Sequence, residues 1–161
     1  MPSDSTSCNR VVWGDGGLTT NRIKEVARTR NAWVNDCGHC RNIRLDTPRD
    51  EGLTEEIGDD ITDDHQASGR LDEAEKAVLR PDAMLFHRTV DSATNAELRR
   101  YLTDAQIAEL WFGVAKLGAV SKLLITLGME PAQPMAATVA PTGRVGLLSK
   151  FRASRAGSGN G

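Results

Sequence analysis

The residues best suited to chemistry are two thiols, Cys37 and Cys40, separated by Gly38 and His39. C-x-x-C spacing lets two sulfurs close a small disulfide and reopen it. On the first turn of a helix, a thiolate is stabilised by the unbonded amides and the dipole, which lowers its pKa toward working pH. His39 can supply or accept a proton near neutrality. Asn35 and Asp36, just upstream, are both good caps, so a capped helix start is predicted at the motif. Redox chemistry is the leading reading. A zinc site is weaker, because it wants four ligands and only Cys8 and three scattered histidines remain, without a second C-x-x-C. Two buried, inert cysteines are the bland alternative.

The elements that must position the pair read as helices. A first helix follows Thr19-Thr20, with Ile23, Val26, Ala27, Trp33 and Val34 on one face. The second carries Cys37, Cys40 and Ile43 and is kinked or ended by Pro48. Gly52 is a stop, and Thr54 restarts a short turn through Ile57. The next helix starts near Leu71 and is interrupted by Pro81, after which residues 83–87 continue in a new direction. A short helix at 95–102 leads to Thr103-Asp104, where the longest apolar pattern begins and runs to Leu127. Its stripe is broad enough for a buried or oligomer-forming helix, and Gly128 and Pro131 terminate it. No strand pattern of useful length follows Val12. Cys-Gly-His-Cys also occurs in thioredoxin-fold disulfide isomerases, but that fold needs a buried strand before the motif. Here Ile23 to Arg30 has helical spacing and a heavy charge load, so that fold is rejected.

A chain of 161 residues suits one domain with a real core. Residues 1–18 read as a flexible arm holding Trp13 and an exposed Cys8, 19–131 as the helical domain, and 132–161 as a disordered tail. No window approaches a membrane span, and the first residues lack the pattern of a secretory signal. An odd cysteine count then points to a reducing compartment, so a cytoplasmic location is expected. Between Asp46 and Glu75 twelve acids face two arginines. This argues for a solvated connection and against a nucleic-acid surface.

Several segments carry a family likeness. They are Lys24 to Trp33, the Cys37-Gly38-His39-Cys40 motif, Glu51 to Ile57, Leu71 to Leu79, Leu102 to Leu110, and the closing Leu127-Gly128-Met129-Glu130-Pro131. Over about residues 19–131 the chain resembles the alkylhydroperoxidase D-like, carboxymuconolactone decarboxylase superfamily. The resemblance implies an all-α, alkylhydroperoxidase D-like domain that assembles as trimers or multiples of them and needs no metal or other cofactor. It implies a peroxiredoxin-type alkylhydroperoxidase that reduces a hydroperoxide at the expense of a dithiol protein or small thiol. Cys40 would be the peroxidatic thiol and Cys37 the resolving one. Glu25, twelve residues before Cys37, would belong to a proton relay, and His39 matches a histidine of the pattern.

The chain departs from that pattern in three places. Arg44 stands one helical turn past Cys40, where the family has a second histidine. A guanidinium can stabilise a thiolate but cannot release a proton at cellular pH, so weakened activity is expected. Pro48 and Pro81 fall inside stretches that are helical in the family, and the leading helix is absent or shortened. Bland roles stand beside these: Glu25 as a solvent-facing partner of Arg28 or Arg22, Arg44 as a partner of Asp46 or another acid, His65 as a surface residue and His87 as a packing one. Two other functional classes remain. One is a carboxymuconolactone decarboxylase-like enzyme, against which the cysteine pair argues; the other is a catalytically inactive helical oligomerisation module.

Overall fold

The computed structural model describes residues 17–80, 90–129 and 138–140. The described chain is mostly helical. Its elements are α1 (Asn21–Val34), α2 (Gly38–Arg41), β1 (Ile43–Leu45), α3 (Asp46–Asp50), α4 (Glu55–Asp59), a 3-10 turn (His65–Ala67), α5 (Glu73–Leu79), α6 (Ser92–Leu98), α7 (Asp104–Thr126) and β2 (Thr138–Ala140).

Local chemistry sets most of the boundaries. The Thr20 hydroxyl accepts from the Ile23 amide and starts α1. Asp72 with Glu75 and Thr103 with Gln106 form reciprocal capping boxes that start α5 and α7. Gly52 and Gly128 stop α3 and α7 in the left-handed region, at φ +91° and +64°. Pro81, residues 83–87 with His87, Trp13, Cys8 and Pro131 lie outside the described residues.

Helix α1 is the hub. It packs against α7 on one side and α5 on another, while α2 and α3 cover its C-terminal half. Three apolar clusters grow from it. Ile23 and Ala27 meet Val78, Leu98, Leu102, Leu110 and Val114. Val26 meets Leu53, Ile61, Leu71 and Leu79. Ala32 meets Cys37, Cys40 and Leu124. A helix so enclosed must bury its charged residues too, and those are paired: Lys24 with Glu109, Glu25 with Arg28, and Arg30 with Asp63.

Three expectations are corrected. The cysteine helix does not run on toward Pro48; it ends at Arg41, because side chains take its last carbonyls. Asn42 Nδ2 donates to Gly38 O, Arg28 to Cys40 O, and Arg44 to Arg41 O. Ile43 to Leu45 then extend as a strand, and Pro48 lies in the separate helix α3. Second, strand structure does exist: Thr138–Ala140, in the segment read as a disordered tail, pairs in parallel with β1 in the register Ile43–Thr138, Arg44–Val139, Leu45–Ala140. Third, His65 is buried rather than on the surface, with Nδ1 2.8 Å from Thr62 O and Nε2 without a partner.

Candidate functional site

The cysteine motif sits where two helices nearly abut. Asp36 takes φ +53°, the left-handed conformation that an aspartate tolerates better than most residues. Its amide donates to Trp33 O, and the amide of Cys37 donates to Ala32 O. This is a Schellman closure of α1, with aspartate where glycine is usual. The closure leaves Cys37 in extended geometry as the N-cap of α2. The cap is therefore the cysteine itself rather than Asn35 or Asp36. Cys37 Sγ accepts from the Cys40 amide at 3.3 Å, so one sulfur already receives a helix N–H.

Cys40, one turn on, points at α7. Its sulfur lies 3.4 Å from Ser121 Oγ, and both side chains are buried. No disulfide joins the two cysteines, which are only 0% and 3% exposed. His39, between them, is half-buried.

Below the pair lies a buried ion pair. Arg28 grips Glu25 with two bonds, Nε to Oε2 at 2.6 Å and Nη2 to Oε1 at 2.8 Å. The same guanidinium donates to Cys40 O at 2.9 Å and Ile43 O at 2.6 Å. Glu25 Oε1 also accepts from the Leu45 amide at 3.3 Å. Two side chains of α1 thus hold α2 and β1 in place. Burial opposes the charge on Arg28. The Glu25 carboxylate and, more weakly, the sulfurs of Cys40 and then Cys37 outweigh it, so the guanidinium is held above its ordinary value.

Of the five residues singled out in the sequence, Cys37, His39 and Cys40 share one short helix. Glu25 is connected to them only through Arg28; it is not solvent-facing, since it is 1% exposed. Arg44 is not one helical turn past Cys40, because the helix has already ended. It lies in β1, bonds Glu55 at 2.9 and 3.0 Å, and donates to Arg41 O and Ile43 O. Beside it a small pocket with room for about one water molecule is lined by Glu25, Thr29, Arg44, Arg49 and Glu55, among others, and by neither cysteine.

Two residues at the site were not among those singled out. Arg28 was visible only as a possible partner of Glu25. Ser121 had one signal, a hydroxyl interrupting the apolar face of the longest helix. Among the described residues no group of three or more His, Cys, Asp or Glu side chains could hold a metal ion, and no helix is long and apolar enough to cross a membrane. No protein-family model matches the sequence, and no curated protein matches it significantly.

Proposed function

We propose that the chain is a thiol-dependent peroxidase of the alkylhydroperoxidase kind, or a disulfide oxidoreductase using the same pair. The observation that carries this reading is the placement of the two thiols. They sit one turn apart at a helix start, over a buried guanidinium, with a backbone N–H donating to Cys37 Sγ and the Ser121 hydroxyl beside Cys40 Sγ. In the proposed cycle the Cys40 thiolate attacks the outer oxygen of a hydroperoxide. An S–O bond forms, the O–O bond breaks, and the alcohol leaves with a proton that this reading assigns to the half-buried His39. The Cys37 thiol then attacks the sulfenic sulfur, an S–S bond forms and water departs. A dithiol protein or small thiol returns the pair to the reduced state by exchange.

The resemblance gave Glu25 a relay role. With both its oxygens engaged by Arg28, its role in this reading is to hold the guanidinium under the thiols. The burial of the sulfurs favours small hydroperoxides over bulky ones. Assembly belongs to the same proposal. Phe112, Leu123 and Leu127 leave an apolar face of α7 exposed, Leu123 at 56%, which suits a trimer or a multiple of it; light scattering on a Leu123→Glu variant tests this.

A second reading has an observation of its own. Cys37 and Cys40 pack in one apolar cluster with Ala32 and Leu124, as inert core residues of a helical module would. One experiment separates the two. Purified protein is treated with stoichiometric hydrogen peroxide, and peroxide loss is followed with a dithiol donor present. The redox reading expects turnover abolished by Cys40→Ser, and loss of two hydrogens within one Cys37–Cys40 peptide by mass spectrometry. Thiols that stay reduced establish the inert module.

A further inference from the structure

We infer that Ser121 is a positioning residue whose hydroxyl donates to Cys40 Sγ and makes Cys40, rather than Cys37, the more acidic thiol of the pair. The inference rests on the redox reading only for its biological use; the geometry stands without it.

The path to the contact begins with helix packing. Along α7, Gly118, Ser121 and Leu124 are buried on one face at spacings of three. Gly118 faces Asn31 of α1, where an added Cβ would already stand 3.5 Å from Asn31 Oδ1. Gly118 thus lies at the α1 contact, and the next turn brings Ser121 to Cys40. The turn after that brings Leu124 into one apolar cluster with Ala32 and the two cysteines.

The chemistry then distinguishes the two sulfurs. Cys37 receives a backbone amide, fixed by the helix start. Cys40 has the hydroxyl of Ser121 at 3.4 Å, and its carbonyl accepts from the Arg28 guanidinium at 2.9 Å. A serine hydroxyl can donate or accept, so it can meet either form of Cys40. Against the thiol it can accept S–H; against the thiolate it donates O–H, and that bond to a charged acceptor is the stronger one. The hydroxyl therefore favours the thiolate. When Cys40 loses its charge in a disulfide, the hydroxyl can turn back to a carbonyl of its own helix, an alternative that serines in helices routinely use.

The test uses the full chain and reads thiolate directly. In a Cys37→Ser background, the absorbance of the Cys40 thiolate near 240 nm is titrated against pH, with and without Ser121→Ala. The expected result is a rise of about one pKa unit, a tenfold loss of thiolate below the midpoint. Ser121→Thr, which keeps the hydroxyl, should hold the parent value. In a Cys40→Ser background, Ser121→Ala should leave the titration of Cys37 in place. An unmoved Cys40 in a variant with native helical content and melting temperature overturns the proposal. So do equal shifts in the alanine and threonine variants, or equal shifts at both cysteines, since those trace to packing. If the Cys40 shift appears in a protein that consumes no peroxide, the inference stands and the peroxidase reading fails. If peroxide is consumed and Ser121→Ala shifts nothing, the reverse holds.

Discussion

Replacing Glu25 by glutamine asks whether its carboxylate braces the site or moves protons. In the structure both oxygens face the guanidinium of Arg28, at 2.6 and 2.8 Å, and one also accepts the Leu45 amide. Both side chains are buried. Glutamine keeps one acceptor oxygen, but its amide turns two donors toward a guanidinium that has only donors. The Arg28 cation would then remain buried, with the carbonyls of Cys40 and Ile43 as its remaining well-placed acceptors. Removing one partner of a buried ion pair typically costs about 3–5 kcal/mol. With one hydrogen bond retained, we expect about 3 kcal/mol, a large fraction of the roughly 5–15 kcal/mol that stabilises a typical domain. The assay is urea unfolding followed by helical circular dichroism, with the slope checked for constancy. Arg28→Met should cost a comparable amount. The double variant should lose clearly less than the two single losses together, because neither leaves an isolated buried charge in it. One result refutes the brace: Glu25→Gln within about 1 kcal/mol of the parent with peroxide turnover down by about 10² or more, the size of a lost proton carrier.

Arg44 points to Glu55 rather than the thiols, so Arg44→Ala should leave the pH dependence of Cys40 alkylation unchanged. It should cost no more than about 1 kcal/mol in urea unfolding, as partly exposed pairs do. Asp36 closes α1 at φ +53°, where glycine is unstrained; Asp36→Gly should raise the melting temperature, with a gain of about 0.5–1 kcal/mol set against a solvent-exposed bond to Arg41. Bonds from Arg70 and from the Ser68 hydroxyl hold Asp60 down to about 2. Because its folded value is depressed, its contribution is present above the ordinary carboxylate value of about 4 and is lost as pH falls toward 2. The urea midpoints of the parent and Asp60→Asn should therefore converge over that window.

What was legible in the sequence is what neighbouring residues decide. Thr20, Thr103, Gly52 and Gly128 act within a few positions of themselves, and the helix limits they imply are the observed ones, whereas the short helix expected at 95–102 lies at Ser92–Leu98. The end of α2 is different. A helix continuing past Arg41 needs the Cys40 carbonyl for the amide of residue 44, and Arg28, twelve residues upstream, holds that carbonyl instead. No local pattern announces such a capture. The same event moves Arg44 from a helical turn beneath Cys40 into a strand facing Glu55. The site differs from its sequence-based picture both at the start of this helix, capped by Cys37 rather than Asn35 or Asp36, and at its early end.

The charge load of α1 is where the reading from sequence had the right pair and the wrong environment. Lys24, Glu25, Arg28 and Arg30 in seven successive positions resemble a solvated face. In the structure α7, α5, α2 and α3 surround that helix, so each charge needs a partner within reach, and partners are supplied from α7 and the 59–64 turn as well as from α1 itself. A helix enclosed in this way carries electrostatics into the core. Placing Arg28 beneath two thiols costs desolvation, and Glu25 offsets that cost by pairing with it. A lone buried arginine would be expelled or would drag water in. A lone buried glutamate would disfavour thiolate. The pair together carries a buried cation beneath the cysteine helix with its counter-charge bonded to it, and the hydroxyl of Ser121 lies 3.4 Å from Cys40 Sγ.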